Sequence, residues 1–143
     1  MKIYLASPFF NSEELEYYTF AIRALRAAGH EVYVPQEHEV ENAWSLPNYI
    51  WASKVFIEDI RAIEEAEVVM VLNWGMYSDS GTAWEAGYAY ALKKQVIQVL
   101  CGKENATYSL MTICGCNKTV DIFNIGSLEE SCAYLPVSKI IQK

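Results

Sequence analysis

Two patterns of hydrophobic residues alternate along the chain. Short apolar runs, with the length and β-branched content of buried strands, alternate with longer stretches whose apolar residues recur every three or four positions. The short runs predict five strands, at Lys2–Ala6, Glu31–Val34, Glu67–Leu72, Gln95–Leu100 and Thr119–Phe123.

Helical spacing predicts four helices between and after these strands. They cover Ser12–Ala28, Asn48–Ala66, Thr82–Lys93 and a segment near Ser127–Leu135. Gly29 directly follows the first helix, at the position where glycine commonly caps a helix end. The stretch Gln36–Leu46 is polar and predicts an irregular loop.

The alternation of strands and helices predicts an α/β fold. A chain of 143 residues suits a single domain, here residues 1–143. The pattern favours one five-stranded parallel sheet flanked by helices on both faces. We expect a flavodoxin-like strand order within the Rossmann-like class, with a ligand site at the carboxyl ends of the strands where the order reverses.

Composition narrows the range of partners. Hydrophobic residues make up 52% of the chain and charged residues 20%, which leaves apolar surface for a homo-oligomer interface. The net charge is −7 and basic residues do not cluster, so nucleic acid and anionic membranes are poor partners. No apolar run is long enough to span a bilayer, and the amino terminus lacks the layout of a signal peptide.

The cysteines and histidines give no sign of a metal centre. Cys114 and Cys116 are the one close pair among four cysteines, and no histidine lies near them to complete a zinc set. Glycine-rich nucleotide motifs are missing as well. We therefore expect a cytoplasmic protein with reduced thiols, no metal and no organic cofactor.

The segment Asp79–Tyr88 is the strongest candidate for chemistry. It follows the third predicted strand and leads into an Ala-rich helix, so Asp79 and Glu85 fall at the carboxyl end of a core strand. Gly81 and Gly87 permit close approach of backbone or ligand. Two acids at such a strand end suggest acid, base or nucleophilic work at a sugar or similar centre.

The same segment also has a purely structural interpretation. Thr82 followed by Glu85 fits a capping box, in which the two side chains satisfy the free N–H groups at a helix start. An acid at that end also interacts favourably with the helix dipole. The residue pattern alone leaves both interpretations open.

Other strand ends and one helix add candidates. Tyr4 lies in the first strand, and a buried tyrosine needs a partner such as a carboxylate. Phe9 and Phe10 follow that strand and could line either a pocket or the core. One side chain of the loop Gln36–Glu39 could bind a ligand edge. Asp59 lies between apolar residues of the second helix, either on its exposed face or as a site acid.

Five segments, in order along Lys2–Ser127, resemble the nucleoside 2-deoxyribosyltransferase family. One segment would be a weak signal, but five in order over a matching pattern of strands and helices make a strong resemblance. The segments are Lys2-Ile-Tyr4-Leu-Ala-Ser-Pro, Tyr33-Val-Pro35, Asp59 with Trp51, Ile60 and Ile63 around it, Asp79-Ser-Gly-Thr-Ala-Trp-Glu85-Ala-Gly87, and Ser109-Leu-Met111.

The resemblance implies transfer of a 2-deoxyribosyl group between the purine or pyrimidine bases of 2′-deoxynucleosides. Glu85 would attack C1′ and form a covalent deoxyribosyl ester, with slow hydrolysis as a side reaction. Tyr4 would orient Glu85, and Asp59 would protonate the leaving base. Asp79 would hold the base or share that proton, and its closeness to Asp59 would raise one of the two pKa values.

The resemblance also implies binding residues and partners. Phe10 would form a wall of the base pocket and Glu39 would contact the base. Gly81 joins these substrate-binding residues because it permits close approach of a ligand. Ser109 and Met111 would reach the sugar from a neighbouring subunit of a homo-oligomer. The partners would be small 2′-deoxynucleosides and free nucleobases.

Two alternative functions stay open. Ser109 stands where many such transferases have Asn and where related nucleotide N-hydrolases have Ser, so one alternative is a nucleoside 5′-monophosphate N-glycosidase. Asp79 and the lack of an Arg in the first loop favour the nucleoside instead. The other alternative is a non-catalytic nucleoside-binding domain, which has no need for three acids and a tyrosine together.

Overall fold

Five parallel strands form one sheet in the order β2-β1-β3-β4-β5. The structure is a computed structural model, and it describes residues 1–127. The parallel pairing, the flavodoxin-like order and strand bounds close to the expected ones confirm the predicted fold. The strands are β1 (Lys2–Ala6), β2 (Glu31–Tyr33), β3 (Val68–Asn73), β4 (Gln95–Leu100) and β5 (Lys118–Asp121).

Helices follow the strands in the described residues, and none of them is long and apolar enough to cross a membrane. They are α1 (Ser12–Ala27), α2 (Asn48–Glu65), α3 (Ser80–Ala91) and α4 (Leu110–Cys114). The first three agree with the sequence predictions. The five-residue α4 was not predicted, because it is too short for helical periodicity to reveal it. The helix expected near Ser127–Leu135 lies outside the described residues.

Side chains of β1 alternate between the two faces of the sheet. Ile3 and Leu5 belong to the core cluster that includes α1, whereas Tyr4 and Ala6 belong to the cluster that includes α2 and α3. All four residues are fully buried. The Tyr4 ring is thus part of the core, and its hydroxyl must find a partner on the face that α2 and α3 cover.

The strand order reverses between β1 and β3, and the chain leaves these neighbours in opposite directions. After β1 it continues into α1 on one face, and after β3 into α3 on the other. The diverging loops open a crevice at the carboxyl edge of the sheet, where ligands of such folds bind. The loop between β2 and α2 borders the same crevice.

Candidate active site

The central contact of the site joins Glu85 of α3 to Tyr4 of β1. The Tyr4 hydroxyl donates a hydrogen bond of 2.9 Å to Glu85 Oε1. The Tyr4 ring stacks on Tyr33 of the neighbouring strand, with centroids 5.5 Å apart, which fixes its orientation. A carboxylate at the crevice is therefore held by a side chain that cannot move without disturbing the core.

Opposing effects set the pKa of Glu85. Burial raises the pKa, the hydrogen bond from Tyr4 lowers it, and the charges of Asp59 and Asp79 raise it again, which brings the pKa to about 7. Burial and the charge of Glu85 also raise the pKa of Tyr4 far above its ordinary value, so its hydroxyl stays a donor. At neutral pH a large share of Glu85 is ionised and poorly hydrated, which suits a nucleophile.

Asp79 is the residue that caps α3. Its Oδ2 accepts hydrogen bonds from the Thr82 backbone N–H at 2.8 Å and from the Thr82 hydroxyl at 2.9 Å. The capping-box interpretation of Thr82 and Glu85 is therefore wrong: an aspartate three residues before Thr82 starts the helix, and Glu85 lies a turn further in. Gly81 fits closely against this cap, because a Cβ there would lie 3.1 Å from Asp79 Oδ2.

Asp59 lies on α2, is half-buried and lines the crevice. Burial raises the pKa of Asp59, the charge of Glu58 raises it further and His38 lowers it, with a resulting pKa of about 6. The sequence analysis expected repulsion from Asp79 to cause such a rise. The structure instead gives burial and Glu58 as the causes, because α2 holds Asp59 in the wall of the crevice. With a pKa of about 6, Asp59 is mostly ionised at pH 7 but protonated in a minor fraction of molecules, so it can both give and take a proton near neutral pH.

The three acids line one cleft of about 460 Å³ at the crevice. Small-molecule sites have volumes of about 300–1,000 Å³, so the cleft suits a ligand of nucleoside size. Phe10, Glu39 and Gly81 line it too, as does Phe9. No group of three or more His, Cys, Asp and Glu side chains within residues 1–127 is arranged to hold a metal ion.

The sequence matches the family model described as nucleoside 2-deoxyribosyltransferase over residues 3–123. A solved structure of a 2-deoxyribosyltransferase from the psychrotolerant bacterium Bacillus psychrosaccharolyticus is 33% identical to the chain, with a TM-score of 0.78. The alignment covers 89% of this chain and 91% of that one. The chain belongs to the nucleoside 2-deoxyribosyltransferase family. The predicted family and the prediction of a transferase enzyme are thereby confirmed.

Two more distant solved structures share the fold. A CMP N-glycosidase from Clostridium botulinum has a TM-score of 0.55 at 22% identity, over 85% of this chain and 88% of that chain. A 2-deoxyribosyltransferase from Leishmania mexicana has a TM-score of 0.54 at 23% identity, over 80% and 71% of the two chains. A search of the curated proteins finds no match.

Two residues expected in the sites of this family lie elsewhere in the single chain. Ser109 directly precedes α4 and Met111 lies within it, and neither lines the cleft of its own chain. Met111 is 76% exposed and Ser109 is partly buried. The isolated chain therefore gathers Glu85, Tyr4 and the two aspartates, but not these two residues.

The sequence analysis did not name two tryptophans of the cleft as site residues. These residues, Trp44 and Trp51, both line the cleft. Trp44 lies on the short turn Ala43–Ser45, within a stretch predicted only as irregular loop, so no periodicity marked it. His38, in the loop Gln36–Glu39 from which one ligand-binding side chain was expected, lines the cleft and stacks on Tyr33 with ring centroids 4.1 Å apart.

Replacing Tyr4 by phenylalanine should raise the pKa of Glu85. The variant keeps the ring in the core but removes a donor that stabilises the ionised form, and loss of such a bond corresponds to a rise from about 7 by about one pH unit. Carbon-13 NMR titration of the glutamate carboxyls measures it. Tyr88→Phe is the matched control, because Tyr88 lies on the same helix as Glu85 and its hydroxyl donates a hydrogen bond to a different carboxylate, Glu64 of α2. An unchanged or lowered pKa in Tyr4→Phe contradicts the role given to this hydrogen bond.

Proposed function

We propose that this protein exchanges the base of a 2′-deoxynucleoside through a covalent deoxyribosyl ester on Glu85. The observation that carries the proposal is the Tyr4–Glu85 hydrogen bond, which holds a desolvated carboxylate in a cleft that also contains Asp59 and Asp79. A module that only binds a nucleoside would gain nothing from three acids in one cleft, because partial burial of each costs free energy.

In the first half-reaction Glu85 acts as the nucleophile. Tyr4 holds Oε1, and a carboxylate oxygen forms a bond to C1′ while the bond between C1′ and the base nitrogen breaks. The electron pair of that bond goes to the base, which takes a proton from Asp59. Positive charge develops on the sugar ring during this step, and the surrounding carboxylates stabilise it.

In the second half-reaction an incoming base regenerates Glu85. A base nitrogen attacks C1′ from the side that the first base left and loses its proton to Asp59. The ester bond breaks and its electrons return to the Glu85 carboxylate. Two displacements on opposite faces retain the configuration at C1′, and water in place of the base gives slow hydrolysis.

The charges of the cleft favour a nucleoside over a nucleoside 5′-monophosphate. In the described part of the chain no Lys or Arg lines the cleft, whereas four carboxyl groups do, those of Glu39, Asp59, Asp79 and Glu85. Phosphate sites use cations or the free N–H groups of a helix start, and Asp79 already occupies the start of α3. This set of charges counts against the nucleotide N-glycosidase alternative.

A neighbouring subunit completes the site in this proposal. Met111 is exposed on α4, outside the cleft of its own chain, and Ser109 adjoins it. Phe56 and Trp84 are also exposed, and they border a second opening, of about 300 Å³, beside the acids. A second copy of the chain would cover these apolar side chains and bring Ser109 and Met111 to the sugar.

Glu85→Gln should abolish transfer. The amide keeps the size of the side chain and still accepts the Tyr4 hydrogen bond, but it is a poor nucleophile. With deoxyinosine and adenine as substrates, chromatography should detect deoxyadenosine with the wild type and a rate reduced about a thousandfold or more in the variant. Glu64→Gln is the control, since Glu64 accepts a tyrosine hydrogen bond on the outer surface.

Two results would count against this function. Equal rates for the wild type and Glu85→Gln would remove Glu85 as the nucleophile. Release of hypoxanthine at a rate that adenine does not change would indicate a hydrolase, and the assay would then be repeated with the 5′-monophosphates.

Mixed oligomers test whether sites are shared. Glu85→Ala and the double variant Ser109→Ala, Met111→Ala should each be impaired alone. In a mixed pair of subunits, one site takes its Glu85 from one chain and its Ser109 and Met111 from the other. After equal mixing, half of the pairs are mixed and have one intact site of two, which corresponds to about a quarter of wild-type activity. Activity no higher than the average of the separate variants contradicts a shared site.

A further inference from the structure

The loop after β2 is fixed at three points around one unpaired carboxylate. Glu37 forms two hydrogen bonds with the guanidinium of Arg26 on α1, at 2.9 and 2.6 Å. His38 stacks on Tyr33, and Val40 is buried. Glu39 lies between these anchored residues, so its backbone position is set by its neighbours.

The Glu39 carboxylate has no partner of its own among the described residues. It is exposed, lines the cleft and makes no hydrogen bond or ion pair within residues 1–127. Glu37, two positions earlier in the same loop, is neutralised by Arg26 instead. In this loop Glu37 therefore anchors the backbone, and Glu39 is available to a ligand.

In the proposed reaction the base binds in the cleft that Glu39 lines. Asp59 must reach the base to protonate it, and Asp59 and Glu39 line the same cleft. The exposed rings of Phe10 and Trp44 line it as well and offer flat surfaces for a heterocycle. The edge of the base is then the group that meets the unpaired carboxylate.

An ionised carboxylate accepts hydrogen bonds and cannot donate them. An exocyclic amino group on the base, as in adenine or cytosine, supplies the matching donor. The isosteric carbonyl of hypoxanthine or uracil would instead place an acceptor against an acceptor, and one or both would lose their hydrogen bonds to water.

We propose that Glu39 makes this enzyme selective for nucleobases that carry an exocyclic amino group. The inference rests on the proposed transfer reaction and adds its substrate class: deoxyadenosine and deoxycytidine are better substrates than deoxyinosine and deoxyuridine.

The test compares donors that differ only in an amino group or a carbonyl. The kcat/KM values of deoxyadenosine and deoxyinosine, and of deoxycytidine and deoxyuridine, are measured with 2,6-diaminopurine, a base that carries exocyclic amino groups, as the common acceptor. In the wild type the amino member of each pair should be preferred by about tenfold or more. In Glu39→Gln both ratios should fall towards one, because an amide can accept from an amino group or donate to a carbonyl. Glu41→Gln, on an exposed residue outside the cleft, is the control and should keep the wild-type ratios.

The possible results separate the inference from the function beneath it. Transfer from all four donors without an amino preference, or with ratios that Glu39→Gln leaves unchanged, overturns the role of Glu39 and leaves the transfer function standing. Transfer from none of the four overturns the proposed function, and the inference falls with it. Activity of Glu39→Gln on the carbonyl donors also shows that the variant is folded.

Discussion

One hydrogen bond, from the Tyr4 hydroxyl to Glu85, connects the core of this molecule to its acidic cleft. A tyrosine buried in a central strand needs a partner for its hydroxyl, and a carboxylate removed from water needs a donor. Each group meets the need of the other, and this fixes α3 against β1 at the point where the strand order reverses. The cleft lies there because the loops after β1 and β3 leave in opposite directions around this contact.

The remaining charges in the cleft act on the same pair. Burial and neighbouring acids keep the pKa of Glu85 and of Asp59 above the ordinary values, at about 7 and about 6, which suits the proton transfers of the proposed reaction near neutral pH. Asp79 has two effects: it caps α3, and its negative charge raises the pKa of Glu85. Within residues 1–127, carboxylates line the cleft and no Lys or Arg does. Such a cleft suits a neutral substrate and a sugar ring that becomes positively charged in the transition state.

The sequence predicted the sheet and part of the candidate site, and the physical reasons differ from residue to residue. The ends of the strand Lys2–Ala6 could be predicted because buried strands are short, apolar and rich in β-branched residues. Glu85 was ambiguous because a catalytic and a capping acid look alike in sequence, and the structure excludes only the capping role, since Asp79 caps α3. Trp44 was missed because the path of an irregular loop depends on tertiary contacts such as the Arg26–Glu37 pair. Comparison with relatives confirmed the family, while the roles of individual side chains remain proposals of this structure.

Trapping the covalent intermediate tests the central claim most directly. A donor nucleoside with fluorine at C2′ destabilises the positively charged transition states, and the slower second step should let the ester accumulate. Intact-mass spectrometry followed by peptide mapping would locate the adduct. The account predicts one glycosyl group per chain, attached to the Glu85 side chain. Adding free base should remove this group. An adduct on another residue, or turnover of the normal substrate with no adduct from the fluorinated one, would contradict it.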